Sequence, residues 1–256
     1  MVECIHGLDA ESCDLCSPKP RRESNPPPRR SASRGSSSRA TSRPPRTTGA
    51  AAPVTSFATI DVGAQRLYHV THLRNLRSIV DSGSLRSDGR PEVDVSSVIT
   101  RELRRSVPVS EGMSVADGVP FYLSPDATLW RDLRSGAGGP RWSDAARRST
   151  PTEFVVLVTT VGALSAPVLA DADAAHSLTR FARDPADQVR MLRRLHSDEA
   201  AILSAEVLAP APVALEAITL VGVANTRARD EVRAVFADTA LNPKVAMHPP
   251  WFAPEE

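Results

Sequence analysis

The sequence beyond Phe57 predicts a mixed α+β domain built on a strongly bent or split sheet. Three observations lead there. "EFVVLVTTV" is a run of branched apolar residues long enough for a strand and too short for most helices. "RLYHVT", "VPFYLS", "AEVLAP", "AITLVGV" and "KVAMH" are shorter strand-like runs. The helical stretches between them follow no regular β-α-β alternation, which favours such a sheet over a doubly wound one.

Taken in order, "RLYHVT" is the first strand, and "HLRNLRSIVDSG" is a helix with Leu73, Leu76, Ile79 and Val80 on one face and Gly83 as its stop. "VDVSSVITRELRRS" reads as a helix, "VPFYLS" as a strand, and "EFVVLVTTV" as the most buried strand. "DADAAHSLTRFA" and "DPADQVRMLRRL" are predicted helices with acidic residues suited to their N-termini. Two strands follow, "AEVLAP" and "AITLVGV", then the helix "RARDEVRAVFAD" and a last strand, "KVAMH", before "PPWF". No internal repeat is evident.

The chain divides into residues 1–16, 17–56 and 57–256. Hydrophobic residues make up 41% of the 256, enough for one sizeable core. Residues 17–56 hold eight arginines and Lys19 against the single acid Glu23, among prolines and serines. Such a segment cannot bury enough apolar surface to offset the entropy of ordering, and it is read as a disordered basic linker. It is either a solubilising tether or an electrostatic arm for nucleic acid. There is no apolar run of membrane-spanning length and no signal-peptide pattern, so a cytoplasmic protein without a membrane partner is expected.

Cys4, His6, Cys13 and Cys16 form a C-x-H-x6-C-x2-C cluster in the first sixteen residues. Four such ligands satisfy tetrahedral zinc and leave no open position, so a Zn2+ held there would be structural. The other reading is a tail with incidental thiols.

Two further groups are candidates for chemistry. In "YHVTH", His69 and Thr71 share one face of a strand by alternation. In "SAEVLAP", Glu206 lies inside an apolar strand, where a carboxylate is costly unless paired or functional; Glu199 is the other acid nearby. From the residues alone, either acid could simply face solvent.

In order along the chain, "YHVTHLRNLRSIVDSGSL", an Arg-rich helix running into "VPV", "VPFYLSP", "AEVLAP" with "LEAITLVGV", and "KVAMHPPWF" resemble the DarT family. Its members are bacterial toxins that ADP-ribosylate bases in single-stranded DNA. The resemblance spans residues 66–252 and implies an ADP-ribosyltransferase-like split, twisted β-sheet core with flanking helices and an NAD+ cleft between the halves. It also implies that His69 bonds the adenosine-side ribose of NAD+ with Thr71 beside it. Either Phe121 or Tyr122, which face opposite sides, would lie near the nicotinamide, and Tyr122 is preferred. Glu206 would bond the nicotinamide ribose and stabilise the charge that develops as the glycosidic bond breaks. An arginine before "VPV" would steady the phosphates or the target base.

The family's paired arginines are not reproduced in register. "ITRELRRSVPV" offers Arg101, Arg104 and Arg105, of which Arg101 is assigned to catalysis and Arg104 to NAD+. "SPDATLW" also departs from the family at a loop expected on the DNA side, which leaves thymine and guanine both open as the target. The resemblance further implies a monomer acting on single-stranded DNA within a toxin-antitoxin or phage-defence system, countered by a macrodomain antitoxin. Other functions compatible with the sequence are a non-catalytic nucleic-acid adaptor joining zinc module, basic arm and degenerate transferase, or a transferase acting on RNA or protein.

Overall fold

The computed structural model describes residues 60–136 and 139–254. The Cys4, His6, Cys13 and Cys16 cluster and the linker at 17–56 lie outside the described residues.

The chain begins with β1 (Arg66–His72), α1 (Leu76–Ser82) and β2 (Ser84–Leu85). It continues through α2 (Val98–Ser106), β3 (Pro108–Ser110), β4 (Met113–Ser114), β5 (Gly118–Tyr122), α3 (Thr128–Arg134) and α4 (Asp144–Arg148). Next come β6 (Phe154–Thr160), β7 (Val168–Ala170), β8 (Phe181–Ala182), α5 (Pro185–His196), α6 (Glu199–Ser204), β9 (Glu206–Pro210) and β10 (Val213–Ala214). The last elements are β11 (Leu220–Val223), α7 (Thr226–Phe236) and β12 (Lys244–Met247).

Eight strands form one sheet in the order β12-β11-β6-β1-β5-β9-β7-β8. β1 and β6 pair over their whole length, from Arg66 opposite Thr160 to His72 opposite Phe154. β5 and β9 pair from Gly118 opposite Pro210 to Tyr122 opposite Glu206. Between these two halves the ladder shrinks to a single pair, Tyr68 opposite Tyr122. The sheet is therefore split between β1 and β5, as the sequence led us to expect. Pro120 contributes to the split because it has no N–H for a cross-strand bond.

β6 is buried on both faces because β1 and β11 flank it and a layer covers each side. Val155 and Leu157 point to a core shared with α1, α5 and α7, through Leu76, Val80, Leu192, Leu195, Val232 and Phe236. Phe154, Val156 and Val158 point to the other face, where Trp130, Leu133, Ala146 and Phe252 cover them. Each large aliphatic side chain so buried stabilises the fold by about 1.5–3 kcal/mol. The C-terminal "HPPWF" is part of this second layer. Trp251 lies over Gly222, where an added Cβ would come within 2.5 Å of the indole, and its carbonyl accepts bonds from Trp130 Nε1 and Arg134 Nη1.

Local signals placed most elements correctly. Gly83 ends α1 at φ +67°, with its N–H on the Val80 carbonyl. Ser97 caps α2 through a bond from Thr100 N, and α2 starts later than the apolar pattern suggested. "DADAAHSLTRFA" is not a helix; it forms a series of turns leading into β8. The aspartates cause this: Asp173 Oδ1 accepts from Ala175 N and Asp171 Oδ1 from Arg180 N, local bonds that compete with helical ones.

Candidate active site

At the seam, β1 diverges from β5 beyond the Tyr68–Tyr122 pair, and a cavity of about 890 Å³ opens there. This volume is within the range of small-molecule clefts. His69 and Thr71 line it from β1, Pro120 and Tyr122 from β5, and Arg101, Arg104 and Arg105 from α2.

His69 Nδ1 lies 2.8 Å from the Pro120 carbonyl. A carbonyl can only accept, so Nδ1 carries the proton and Nε2 presents a lone pair. Burial pushes the His69 pKa down, which keeps the ring neutral near pH 7. This is an acceptor suited to a ribose hydroxyl. Thr71 is buried, and its Oγ1 accepts from Asn75 Nδ2 at 3.2 Å. The same Asn75 amide clasps Val93 through its N–H and its carbonyl, both at 2.8 Å, and so pins one wall of the cavity.

Glu206 begins β9, directly opposite Tyr122 on one side and Ala170 on the other. It is fully buried, and desolvation raises its pKa, while the Arg104 guanidinium acts in the opposite direction. Arg104 Nη1 donates to Glu206 Oε2 at 3.1 Å, and Ala174 N donates to Oε1 at 3.3 Å. The carboxylate is thus held at both oxygens. Tyr122 is partly buried at the cavity edge, with its pKa pushed up by desolvation and by the Glu206 charge, so its phenol remains a neutral donor. Phe121, on the alternate face, belongs to the core.

Of the three candidate arginines, Arg104 reaches Glu206, whereas Arg101 pairs with Asp94 at the cavity wall. Arg105 lines the same cavity. Arg104 Nη2 is buried and has no hydrogen-bond partner among the described residues. A buried donor without an acceptor is costly, and an anionic or hydroxyl-rich ligand in the cleft would satisfy it. Glu199 is exposed at the start of α6, away from this arrangement. In the "SPDATLW" loop, Asp126 pairs with Arg134 and Trp130 is core.

Sequence reasoning did not single out Asp173 or Arg141, which form an ion pair beside Glu206. Asp173 stands in the segment misread as helix, and Arg141 in a loop without periodicity. No local pattern could have found them.

A split sheet with a cleft at its seam, bordered by His69 and lying beside a buried Glu206 held by Arg104, is an arrangement that suits an ADP-ribosyltransferase. The family model described as "ssDNA thymidine ADP-ribosyltransferase, DarT" matches residues 68–253. The chain belongs to that family and is an ADP-ribosyltransferase.

Solved structures agree on the fold. DarT of Thermus sp. 2.9 in complex with ADP-ribosylated ssDNA is 21% identical with a TM-score of 0.63, covering 74% of this chain and 96% of that one. The same protein in complex with NAD+ gives 22% identity and a TM-score of 0.61, covering 74% and 98%. Thermosipho africanus DarTG in complex with ADP-ribose is 17% identical with a TM-score of 0.55, covering 73% and 51%. No curated protein matches the chain by sequence. No helix among the described residues is long and apolar enough to cross a membrane.

Proposed function

We propose that the protein transfers ADP-ribose from NAD+ to thymine in single-stranded DNA. The observation that carries this reading is the fully buried Glu206, held by Arg104 and the Ala174 amide next to a cleft that opens at His69. His69 Nε2 accepts a hydroxyl of the adenosine-side ribose, and Thr71 and Tyr122 border the same ligand. The Arg104 donor left over after pairing with Glu206 binds an oxygen of NAD+ or of the target base.

As the bond between nicotinamide and ribose C1 breaks, positive charge develops on the sugar. Glu206 accepts a hydrogen bond from the adjacent ribose hydroxyl and stabilises that charge in a water-poor site, where a fixed carboxylate has most effect. A ring nitrogen of the base attacks C1, neutral nicotinamide departs with the bonding pair, and the N–H proton of the base passes to water. Arg101, at the cavity wall, is proposed to face the incoming base.

The DarT family description, with its thymidine acceptor, favours thymine over guanine. The same membership supports, as part of this proposal, a toxin role countered by a macrodomain antitoxin and a cytoplasmic location. For residues 4–16 we retain structural zinc on Cys4, His6, Cys13 and Cys16; metal analysis of the purified full chain should give one zinc per chain.

The decisive assay incubates the chain with labelled NAD+ and single-stranded oligonucleotides that differ only in containing thymine or guanine. Label should enter the thymine-containing strand and be lost in Glu206→Ala. Label on guanine, or preferential label on competing RNA or protein, would replace the assigned acceptor; an unaffected Glu206→Ala would remove the assigned chemistry.

A further inference from the structure

Arg141 lies outside every element described above, yet it contacts both segments that carry the supports of Glu206. Its backbone carbonyl accepts from Ser97 N at 2.9 Å and from Thr100 Oγ1 at 2.8 Å, which fixes the first turn of α2, the helix that carries Arg104. Its guanidinium donates from Nη1 to Asp173 Oδ2.

Asp173 in turn organises the turn after β7. Its Oδ1 accepts from Ala175 N at 2.9 Å, and its carbonyl accepts from His176 N at 2.9 Å and Thr179 Oγ1 at 2.6 Å. The next amide, Ala174 N–H, is the one that holds Glu206 Oε1. The contacts close a ring: Glu206 to Arg104, along α2 to Arg141, across to Asp173, and back through Ala174 to Glu206.

We infer that Arg141 is a positioning residue for the transfer reaction, locking the Asp173 turn to α2 so that both supports of Glu206 keep one geometry. The inference rests on the assignment of Glu206 to catalysis. Electrostatics point the same way. Asp173 is a second carboxylate whose charge opposes ionisation of Glu206, and Arg141 offsets it. Four groups face Glu206 or stand behind those that do: Arg104 from α2, Asp173 from the β7–β8 turn, Arg141 behind Asp173, and Tyr122 from β5.

The Arg141 side chain is 47% exposed, so removing it opens no void in the core, and Asp173, at 18%, keeps access to water and its local backbone bonds. The contacts from Arg141 to α2 are made by its backbone and survive substitution. Arg141→Ala should therefore fold and reveal the positioning role.

The test measures kcat and KM for NAD+ with a single-stranded oligonucleotide acceptor, across pH, for Arg141→Ala, Arg141→Lys, the double variant Arg141→Ala/Asp173→Asn, and Glu206→Gln. Arg141→Ala should lower kcat about tenfold with KM nearly unchanged, as expected when a transition-state contact loosens. The acid limb of its kcat/KM profile should move to higher pH, because the Asp173 charge is no longer offset. The double variant should bring that limb back down, and Arg141→Lys should fall between wild type and Arg141→Ala.

An unmoved acid limb in Arg141→Ala, or a rise in KM alone, would overturn the inference and make Arg141 a bystander or a direct substrate contact. If Glu206→Gln remains active, the assignment beneath it fails instead. If Glu206→Gln is inactive while Arg141→Ala matches wild type, only the positioning role is lost.

Discussion

His69 on β1 bonds the carbonyl of Pro120 on β5 across the gap where the two halves of the sheet part. A side chain thus takes up a backbone acceptor that a continuous ladder would have used, and the same contact fixes which ring nitrogen faces the cleft.

Replacing His69 should therefore act on NAD+ binding more than on folding. His69→Ala is expected to weaken NAD+ affinity about tenfold by calorimetry, consistent with loss of one oriented hydrogen bond with partial solvent replacement. His69→Asn, which can still donate to Pro120 and accept from a ribose hydroxyl, should retain part of the affinity.

Acidification should have a related effect. Burial lowers the His69 pKa below 6.5, so the unfolded chain binds more protons than the native one between these values. The stability contribution of neutral His69 is then complete above pH 6.5 and is lost as pH falls through the lowered native value. NAD+ affinity should decline over the same range, because protonated Nε2 can no longer accept; titration calorimetry across pH checks this.

The sign is reversed for Glu206, whose pKa is raised by desolvation. Activity requires the carboxylate, so the acid limb of kcat/KM should lie above the ordinary carboxylate value of 4.5. Stability runs the other way: the native state holds the Glu206 proton more tightly than the unfolded chain, which favours folding below 4.5, and this is lost as pH rises through the native value. Glu206→Gln should abolish the limb together with at least about 100-fold of kcat.

The three arginines of α2 should separate in kinetics. Arg104→Ala leaves a buried carboxylate without its cation and should cost about 100-fold in kcat, with Arg104→Lys intermediate because lysine lacks the planar fork. Arg101→Ala breaks the pair with Asp94 and should affect use of the DNA acceptor, read as KM for the oligonucleotide, more than NAD+ binding. Equal losses for Arg101→Ala and Arg104→Ala in NAD+ hydrolysis without DNA would contradict this division.

Gly222→Ala tests the C-terminal cap without touching the cleft. The new methyl would meet the Trp251 ring at 2.5 Å, so the tail must shift. Denaturant unfolding should show a loss of about 1–3 kcal/mol, with KM for NAD+ little changed in the folded fraction.

Taken alone, the sequence determined what depends on neighbours in the chain. The all-apolar β6, the Gly83 stop of α1 and the amphipathic α5 and α7 follow from periodicity and capping, which act over a few residues. The ordered motifs also indicated the family. The same local reading mistook "DADAAHSLTRFA" for a helix, because the bonds made by Asp171 and Asp173 and the pull of Glu206 on the Ala174 amide do not appear in a hydrophobic pattern.

Tertiary structure alone decided which arginine meets the glutamate. Arg104 and Glu206 are 102 residues apart, and their contact depends on how α2 is anchored and on the register that sets Glu206 opposite Tyr122 and Ala170. It also decided that Glu206 is buried rather than facing solvent, since β5 and β7 flank it on either side. Register and burial are long-range properties: strands distant in sequence must close on each other before a carboxylate has a dry site or a cation within reach.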